Sequence, residues 1–252
     1  MHCFDPIEMT ERMRRIVVRI ENGSELRKYY RFRASRFYGG SAVADTVGCN
    51  LRCVFCWGWR VNTSPTSYGE FYSASQVCRK LISLADSRGL RIVRVSGGEP
   101  TISMNHLIEL LDCIDRLCRS RRMMFILETN GIVLGHCEEY ARKLSQYEAL
   151  HVRVSLKACS SESFQRITGA CSEFFELQLR ALRNLLKYGV SVHPAVMISF
   201  CQDDEVRSLV QRLREIDEAL VHELEEEVVI LYPSVKKRLE KMGFRPRYSY
   251  EV

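Results

Sequence analysis

Apolar positions along this chain switch repeatedly between two periods. Short aliphatic and β-branched runs read as buried strands, and stretches with apolar residues three and four apart read as amphipathic helices. The first barrel strand is residues 41–47, ended by Gly48. A helix follows from Ser73 or Ser75, with Val77, Leu81, Leu84 and Ala85 on its inner face and Gly89 as its stop. The unit then repeats: strand 91–95 and helix 104–119, strand 123–127 and helix 136–146, strand 150–156 and helix 174–188. Strand 190–199, helix 203–219, strand 227–232 and helix 234–242 complete the pattern. Six alternations imply parallel strands with right-handed crossovers. They are too few to close an eight-stranded barrel, so the expected fold is α/β, an open, curved, partial (β/α)6 barrel. Residues 1–40 read as an extension before it. Residues 9–22 are amphipathic or strand-like around Ile16-Val17-Val18, residues 29–38 mix aromatics with arginines, and Gly39-Gly40 marks a turn. The unusual polar and glycine-rich turns all fall at the C-terminal ends of the strands, where barrels of this kind place their chemistry.

Composition narrows the class. The chain has 252 residues, 46% apolar and 27% charged, as in an ordinary globular protein. No run approaches the roughly 20 apolar residues needed to span a bilayer. Met1-His2-Cys3-Phe4-Asp5 shows no basic region followed by an apolar one, so no signal peptide and a cytoplasmic location are expected. Eleven cysteines are many for such a setting, and an odd number argues against a full disulfide framework. Those outside residues 49–56 read as small buried or neutral residues, Cys159, Cys171 and Cys201 among them. The net charge of +6 gathers in clusters such as Arg27, Lys28, Arg31, Arg33 and Arg36. Acids interleave with the basic clusters, which favours a solvated basic surface over a nucleic-acid site.

One stretch stands out chemically. Cys49-Asn50-Leu51-Arg52-Cys53-Val54-Phe55-Cys56 sets three cysteines at CxxxCxxC spacing in the loop after the first strand. Thiolates are the usual ligands of Fe–S clusters, and three on one short loop suit three corners of a cube. A structural zinc site wants a second ligand pair, and none lies at suitable spacing. A redox pair Cys53/Cys56 would leave Cys49 without a role.

This motif, with an aromatic before its last cysteine, resembles the signature of the radical S-adenosylmethionine superfamily. The likeness runs over about residues 41–235, and it divides the chain into a 1–40 extension and a 41–252 partial TIM-type barrel domain. It implies a [4Fe–4S] cluster held by Cys49, Cys53 and Cys56, with its open iron binding the amino and carboxylate groups of S-adenosylmethionine. Reductive cleavage then gives methionine and a 5′-deoxyadenosyl radical that abstracts hydrogen; the cofactor supplies the chemistry and the protein the placement. Phe55 matches the aromatic that meets adenine. Ser96-Gly97-Gly98-Glu99-Pro100 resembles the turn whose glutamate accepts from the methionine amino group. Glu128-Thr129-Asn130-Gly131 is similar to a turn of pyruvate formate-lyase-activating enzymes and of 7-carboxy-7-deazaguanine synthase, beside the methionine end. Ser155-Leu156-Lys157 stands where activases carry Asp-x-Lys, which implies a carboxylate contact for Lys157 and a ribose contact for Ser155. The serine departs from that pattern. His193 is a core residue or a ribose or substrate contact. The activase histidine after a Leu-Pro-aromatic turn is absent from Leu231-Tyr232-Pro233. Trp57 and Trp59 would shield the cluster or simply pack the loop.

The resemblance therefore implies a radical enzyme served by a ferredoxin- or flavodoxin-like electron donor. Its leading reading is an activase acting on a glycyl radical enzyme. The second is modification of a small purine-like molecule or of RNA, and a third is a non-catalytic sensor or electron carrier. No catalytic residue is assigned at this level.

Overall fold

The structure, a computed structural model, describes residues 3–251. It opens with α1 (Pro6–Val17), capped by the Asp5 carboxylate, and runs directly into β1 (Val18–Glu21) and β2 (Ser24–Ser35). The ambiguous stretch 9–22 is thus half helix and half strand. Next come β3 (Ser41–Thr46), α2 (Trp59–Thr63), β4 (Glu70–Tyr72), α3 (Ala74–Arg88), β5 (Ile92–Gly97) and α4 (Met104–Arg121). Ser73 caps α3 in a reciprocal capping box with Gln76, and Gly89 closes it in the left-handed region. Then follow β6 (Met124–Thr129), α5 (Ile132–His136), α6 (Glu138–Leu144), β7 (Leu150–Leu156), α7 (Ser161–Thr168) and α8 (Phe175–Lys187). The chain ends with β8 (Ser191–Met197), α9 (Asp203–Ile216), α10 (Glu218–His222), β9 (Glu225–Glu227), β10 (Val229–Leu231), α11 (Pro233–Lys241) and β11 (Ser249–Glu251).

The main sheet runs β1-β2-β3-β5-β6-β7-β8-β9, with β4 also on β2. From β3 to β9 every neighbouring pair is parallel, which gives the six-stranded open partial barrel. The first 40 residues widen it: β2 pairs antiparallel with β3, and β1 and β4 pair with β2. One face of the strands carries Val93, Val95, Phe125, Leu127, Val152 and Val154 into the main core. There they join Leu81, Leu110, Ile114 and Leu182 of the helices, all buried. Each such leucine contributes about 1.5–3 kcal/mol. The opposite, concave face carries the polar residues. Among the described residues, no helix is long and apolar enough to cross a membrane.

Three expectations need correcting. The sixth barrel strand is not 227–232. It is β9, the triplet Glu225-Glu226-Glu227, while Val229–Leu231 pairs with β11 in a separate two-stranded sheet. An acidic triplet does not look like a strand. It becomes one because Arg153 ion-pairs with both Glu225 and Glu227 from two strands away. The helix placed at 136–146 starts earlier, because the Asn130 side-chain Oδ1 accepts from the Ile132 amide and begins α5 there. Finally, two pairs of cysteines are bonded, Cys3–Cys171 and Cys159–Cys201, at sequence separations of 168 and 42. Cys159 and Cys201 follow the ends of the neighbouring strands β7 and β8, and Cys3 meets Cys171 beside the bridge of Phe4 to Ala170. Peptide mapping of unreduced protein is expected to recover both links and leave the other seven cysteines open to alkylation.

Candidate active site

The cysteine loop leaves the C-terminal end of β3 and is held by contacts from outside itself. The Arg52 and Val54 amides donate to the Thr168 and Ile167 carbonyls at 3.0 and 2.9 Å. The Gly48 carbonyl, where the loop begins, accepts from the Glu99 amide at 2.8 Å, and the Thr46 carbonyl accepts from the Gly98 amide at 2.9 Å. These last two bonds explain the paired glycines. A Cβ on Gly97 would lie 2.8 Å from the Thr46 nitrogen, and one on Gly98 only 2.2 Å from the Gly48 oxygen. Their bareness admits the backbone of the cysteine loop.

Cys53 is buried, Cys49 and Cys56 partly so. Burial pushes the Cys49 thiol up to about 12, and the nearby Glu99 carboxylate adds to the shift. Burial raises the Cys53 thiol as well, against the opposing pull of the Lys157 ammonium. The neighbouring thiols oppose one another's ionisation, a balance that bound iron reverses. Among the described residues no three His, Cys, Asp or Glu side chains converge as ligands of one ion. A cluster makes a different demand, since each thiolate caps its own iron. Three thiols on one short loop, close enough to influence one another's ionisation, fit that group.

The turns after β5 and β6 meet beneath the loop. The Glu99 carboxylate is 1% exposed and already takes four hydrogen bonds, from the Thr101 amide and hydroxyl, the Thr129 hydroxyl and the Asn130 amide. It ties one strand end to the next, with three of these bonds on Oε1 and one on Oε2. Asn130 also reaches the loop: its amide nitrogen donates to Asn50 Oδ1 at 2.7 Å and lies 3.9 Å from Cys49 Sγ. Phe55 stacks on Phe200 with ring centroids 5.8 Å apart. The structure thus brings Cys49, Cys53, Cys56, Phe55, Gly98, Asn130 and Lys157 to one mouth.

A profile of the radical SAM superfamily matches residues 43–226. The chain belongs to the radical SAM superfamily. Its enzymes use a [4Fe–4S] cluster and S-adenosylmethionine. A probable GTP 3′,8-cyclase of Methanococcus aeolicus is 31% identical over 133 residues, 50% of this chain and 40% of that protein. Another probable GTP 3′,8-cyclase, from Saccharolobus islandicus, is 26% identical over 229 residues, 82% of this chain and 69% of that protein. The chain therefore spans 40% of the length of the first relative. Among solved structures, Streptococcus suis SuiB bound to its precursor peptide superposes with a TM-score of 0.57 at 14% identity, over 83% of this chain and 48% of that one. TYW1 with a lysine–pyruvate adduct gives 0.51 at 16% identity, over 96% and 88%. At such identities the likeness shows the fold alone.

Below the radical SAM mouth the remaining expected residues form a row across the concave face. Asp45 pairs with Ser96, Glu128 with Arg153, and Arg153 with His193. Ser96 and Glu128 close the row, with the serine hydroxyl donating to Glu128 Oε2 at 2.5 Å. Arg94 and the Tyr38 hydroxyl donate to the other Glu128 oxygen at 2.7 and 2.9 Å. Burial alone would raise the Glu128 pKa, but Arg94, Arg153 and these hydrogen bonds outweigh it and hold the carboxyl below its ordinary range. Ser155 accepts from Arg153 at 2.8 Å. His193 stacks on His151, with centroids 4.9 Å apart, and hydrogen-bonds with Glu225 at 3.3 Å. That bond and Arg153 bring the Glu225 carboxyl down to about 2. Ser96, Glu128 and His193 thus share this row with Asp45 and Arg153. Lys157 lies four residues beyond Arg153 on β7, about 13 Å along a strand.

Sequence reading missed the props that reach in from afar. Gln178 on α8 donates to the Asn130 and Ser155 carbonyls at 2.6 and 3.1 Å and accepts from the Lys157 amide. A glutamine on the buried stripe of a helix was the available signal. Arg27 is fully buried and donates to the Glu99 carbonyl at 3.3 Å. Arg238 on α11 donates to the Val54 and Cys56 carbonyls at 2.6 and 2.5 Å and covers Trp59 at 4.7 Å. Trp57, by contrast, is 47% exposed. Arg238→Gln is expected to lower unfolding stability by about 1–2 kcal/mol and to speed iron loss to a chelator; denaturant melts and chelator kinetics check it.

Proposed function

We propose that this radical SAM enzyme abstracts hydrogen from a small, polar molecule held on the concave face of the sheet. The row Asp45, Ser96, Glu128, Arg153 and His193 carries this reading. It places charged and hydrogen-bonding groups under the mouth, on the face away from the helices. A glycine of a partner enzyme offers no charge for such a row to recognise. A nucleotide or similar molecule has both donors and acceptors to meet it. The sequence relatives support the same choice, since their names refer to GTP rather than to a glycine. The glycyl radical reading suggested by the Glu128–Gly131 turn draws no support from them, and the Glu128 side chain is turned into the row.

The bound cluster and S-adenosylmethionine would supply reductive bond cleavage and the abstracting radical. The chain's own residues would do the placing. Cys49, Cys53 and Cys56 would hold the cluster, Lys157 would face the carboxylate of the cofactor, and Phe55 its adenine. Gln178 and Glu99 fix the strand ends that carry these groups. Arg94, Arg153 and Glu128 would orient the substrate, and the apolar layer around Phe200 would exclude water.

The test is an anaerobic assay of reconstituted, reduced protein with S-adenosylmethionine. Either GTP and related nucleotides or a purified glycyl radical enzyme is added. The reading expects 5′-deoxyadenosine formation to rise with a small molecule. A rise with protein alone would return the activase reading.

A further inference from the structure

Asn62 belongs to none of the motifs above, yet its side chain is buried between Cys56 and the Gly98 turn. It sits on α2, six residues after the last cysteine of the loop, and is 5% exposed. Its Nδ2 lies 3.5 Å from Cys56 Sγ, in hydrogen-bond range of a sulfur acceptor. Its Oδ1 has no partner at all, one of few buried side-chain atoms so left. That oxygen looks onto Gly98, where an added Cβ would stand 3.0 Å from it. The two ends of the amide are not interchangeable. An iron-bound thiolate only accepts, so the NH2 end must face Cys56 and the oxygen must face Gly98.

A buried acceptor without a donor costs free energy unless something arrives to satisfy it. The turn at Gly98 is where the superfamily resemblance puts the methionine amino group, and the Glu99 carboxylate expected to receive it already accepts three hydrogen bonds at Oε1, from Thr101 and Thr129, and one at Oε2, from Asn130. We propose that Asn62 is a bifunctional cofactor residue: its NH2 donates to the Cys56 thiolate and its carbonyl oxygen accepts an N–H from the amino group of S-adenosylmethionine. One planar amide then couples the cluster to the molecule bound at it. Hydrogen bonds to the sulfurs raise a cluster's potential by stabilising the more negative, reduced form. The inference rests on the cofactor reading of the site and is independent of the substrate.

Asn62→Ala and Asn62→Asp separate the two contacts. The cluster's midpoint potential is read by reductive titration followed by electron paramagnetic resonance, and the affinity for S-adenosylmethionine by equilibrium binding. Both variants lack the donor to sulfur, so both potentials become more negative. The alanine variant also lacks the acceptor and binds S-adenosylmethionine about tenfold more weakly or worse. The aspartate variant keeps an oxygen there and binds within about threefold of the parent. Parent-like potential and affinity in iron-loaded variants would overturn the inference. So would loss of iron from both variants while the parent stays loaded, which marks Asn62 as a structural prop. A parent protein that takes up no iron would instead overturn the cofactor reading beneath it.

Discussion

Cys53→Ala is expected to give colourless protein that retains almost none of the roughly four irons per chain that a [4Fe–4S] cluster carries. Cys53 is the middle ligand of the loop and is 7% exposed, so no solvent-borne ligand replaces it easily. The fold should survive. The change removes one sulfur from a buried site, and the loop backbone keeps its bonds to Thr168, Ile167 and Arg238. The variant should therefore melt close to the iron-free parent while losing all formation of 5′-deoxyadenosine. Iron analysis and visible absorption after anaerobic reconstitution check the first part. Full iron retention would remove Cys53 from the ligand set.

Glu128→Gln should act on a different layer. Its carboxylate is the anion for Arg94, whose side chain is 4% exposed. Removing one partner of a buried pair costs about 3–5 kcal/mol, because the other charge is stranded; the partly exposed Glu128 puts this case near the lower end. The effect has a definite pH sign. The folded Glu128 carboxyl lies below its unfolded value of 4.5, so the contribution is complete above that pH and disappears as pH falls through the folded value. Parent and variant melts should thus converge in acid and stay apart at neutrality. Iron content and S-adenosylmethionine affinity should change little, because neither the loop nor Asn130 touches this carboxylate. Turnover with a small substrate should fall about a hundredfold, as expected when an orienting group is lost. Denaturant melts from pH 3 to 7 and the two binding measurements check each part.

The barrel was legible because its signals are local. Val93 and Val95, Phe125 and Leu127, and Val152 and Val154 alternate on adjacent strands, and each run stops at a turn that announces itself. The cysteine loop was legible for the same reason: three ligands fit within eight residues. The period of two also placed Ser155 and Lys157 on one face. What it could not give was height along the barrel. His193 and Glu128 point inward as expected, but the register aligns them with Arg153, below the mouth. Long-range partners were invisible altogether. Arg238 serves the cysteine loop across 182–184 residues, and Cys3 meets Cys171 across 168. The strand Glu225–Glu227 was hidden because its reason for forming is Arg153, not its own residues. The Glu99 motif was legible too, but its bonds to Thr101, Thr129 and Asn130, which link two strand ends, were not.

This loop and these strand ends are expected to assemble a working radical SAM site. The most direct measurement is 5′-deoxyadenosine released by anaerobically reconstituted, reduced protein given S-adenosylmethionine. The parent chain is expected to form it, Cys53→Ala to form none, and a small polar substrate to stimulate it. Fully iron-loaded, reduced protein that binds S-adenosylmethionine but forms no 5′-deoxyadenosine with any substrate would contradict that expectation.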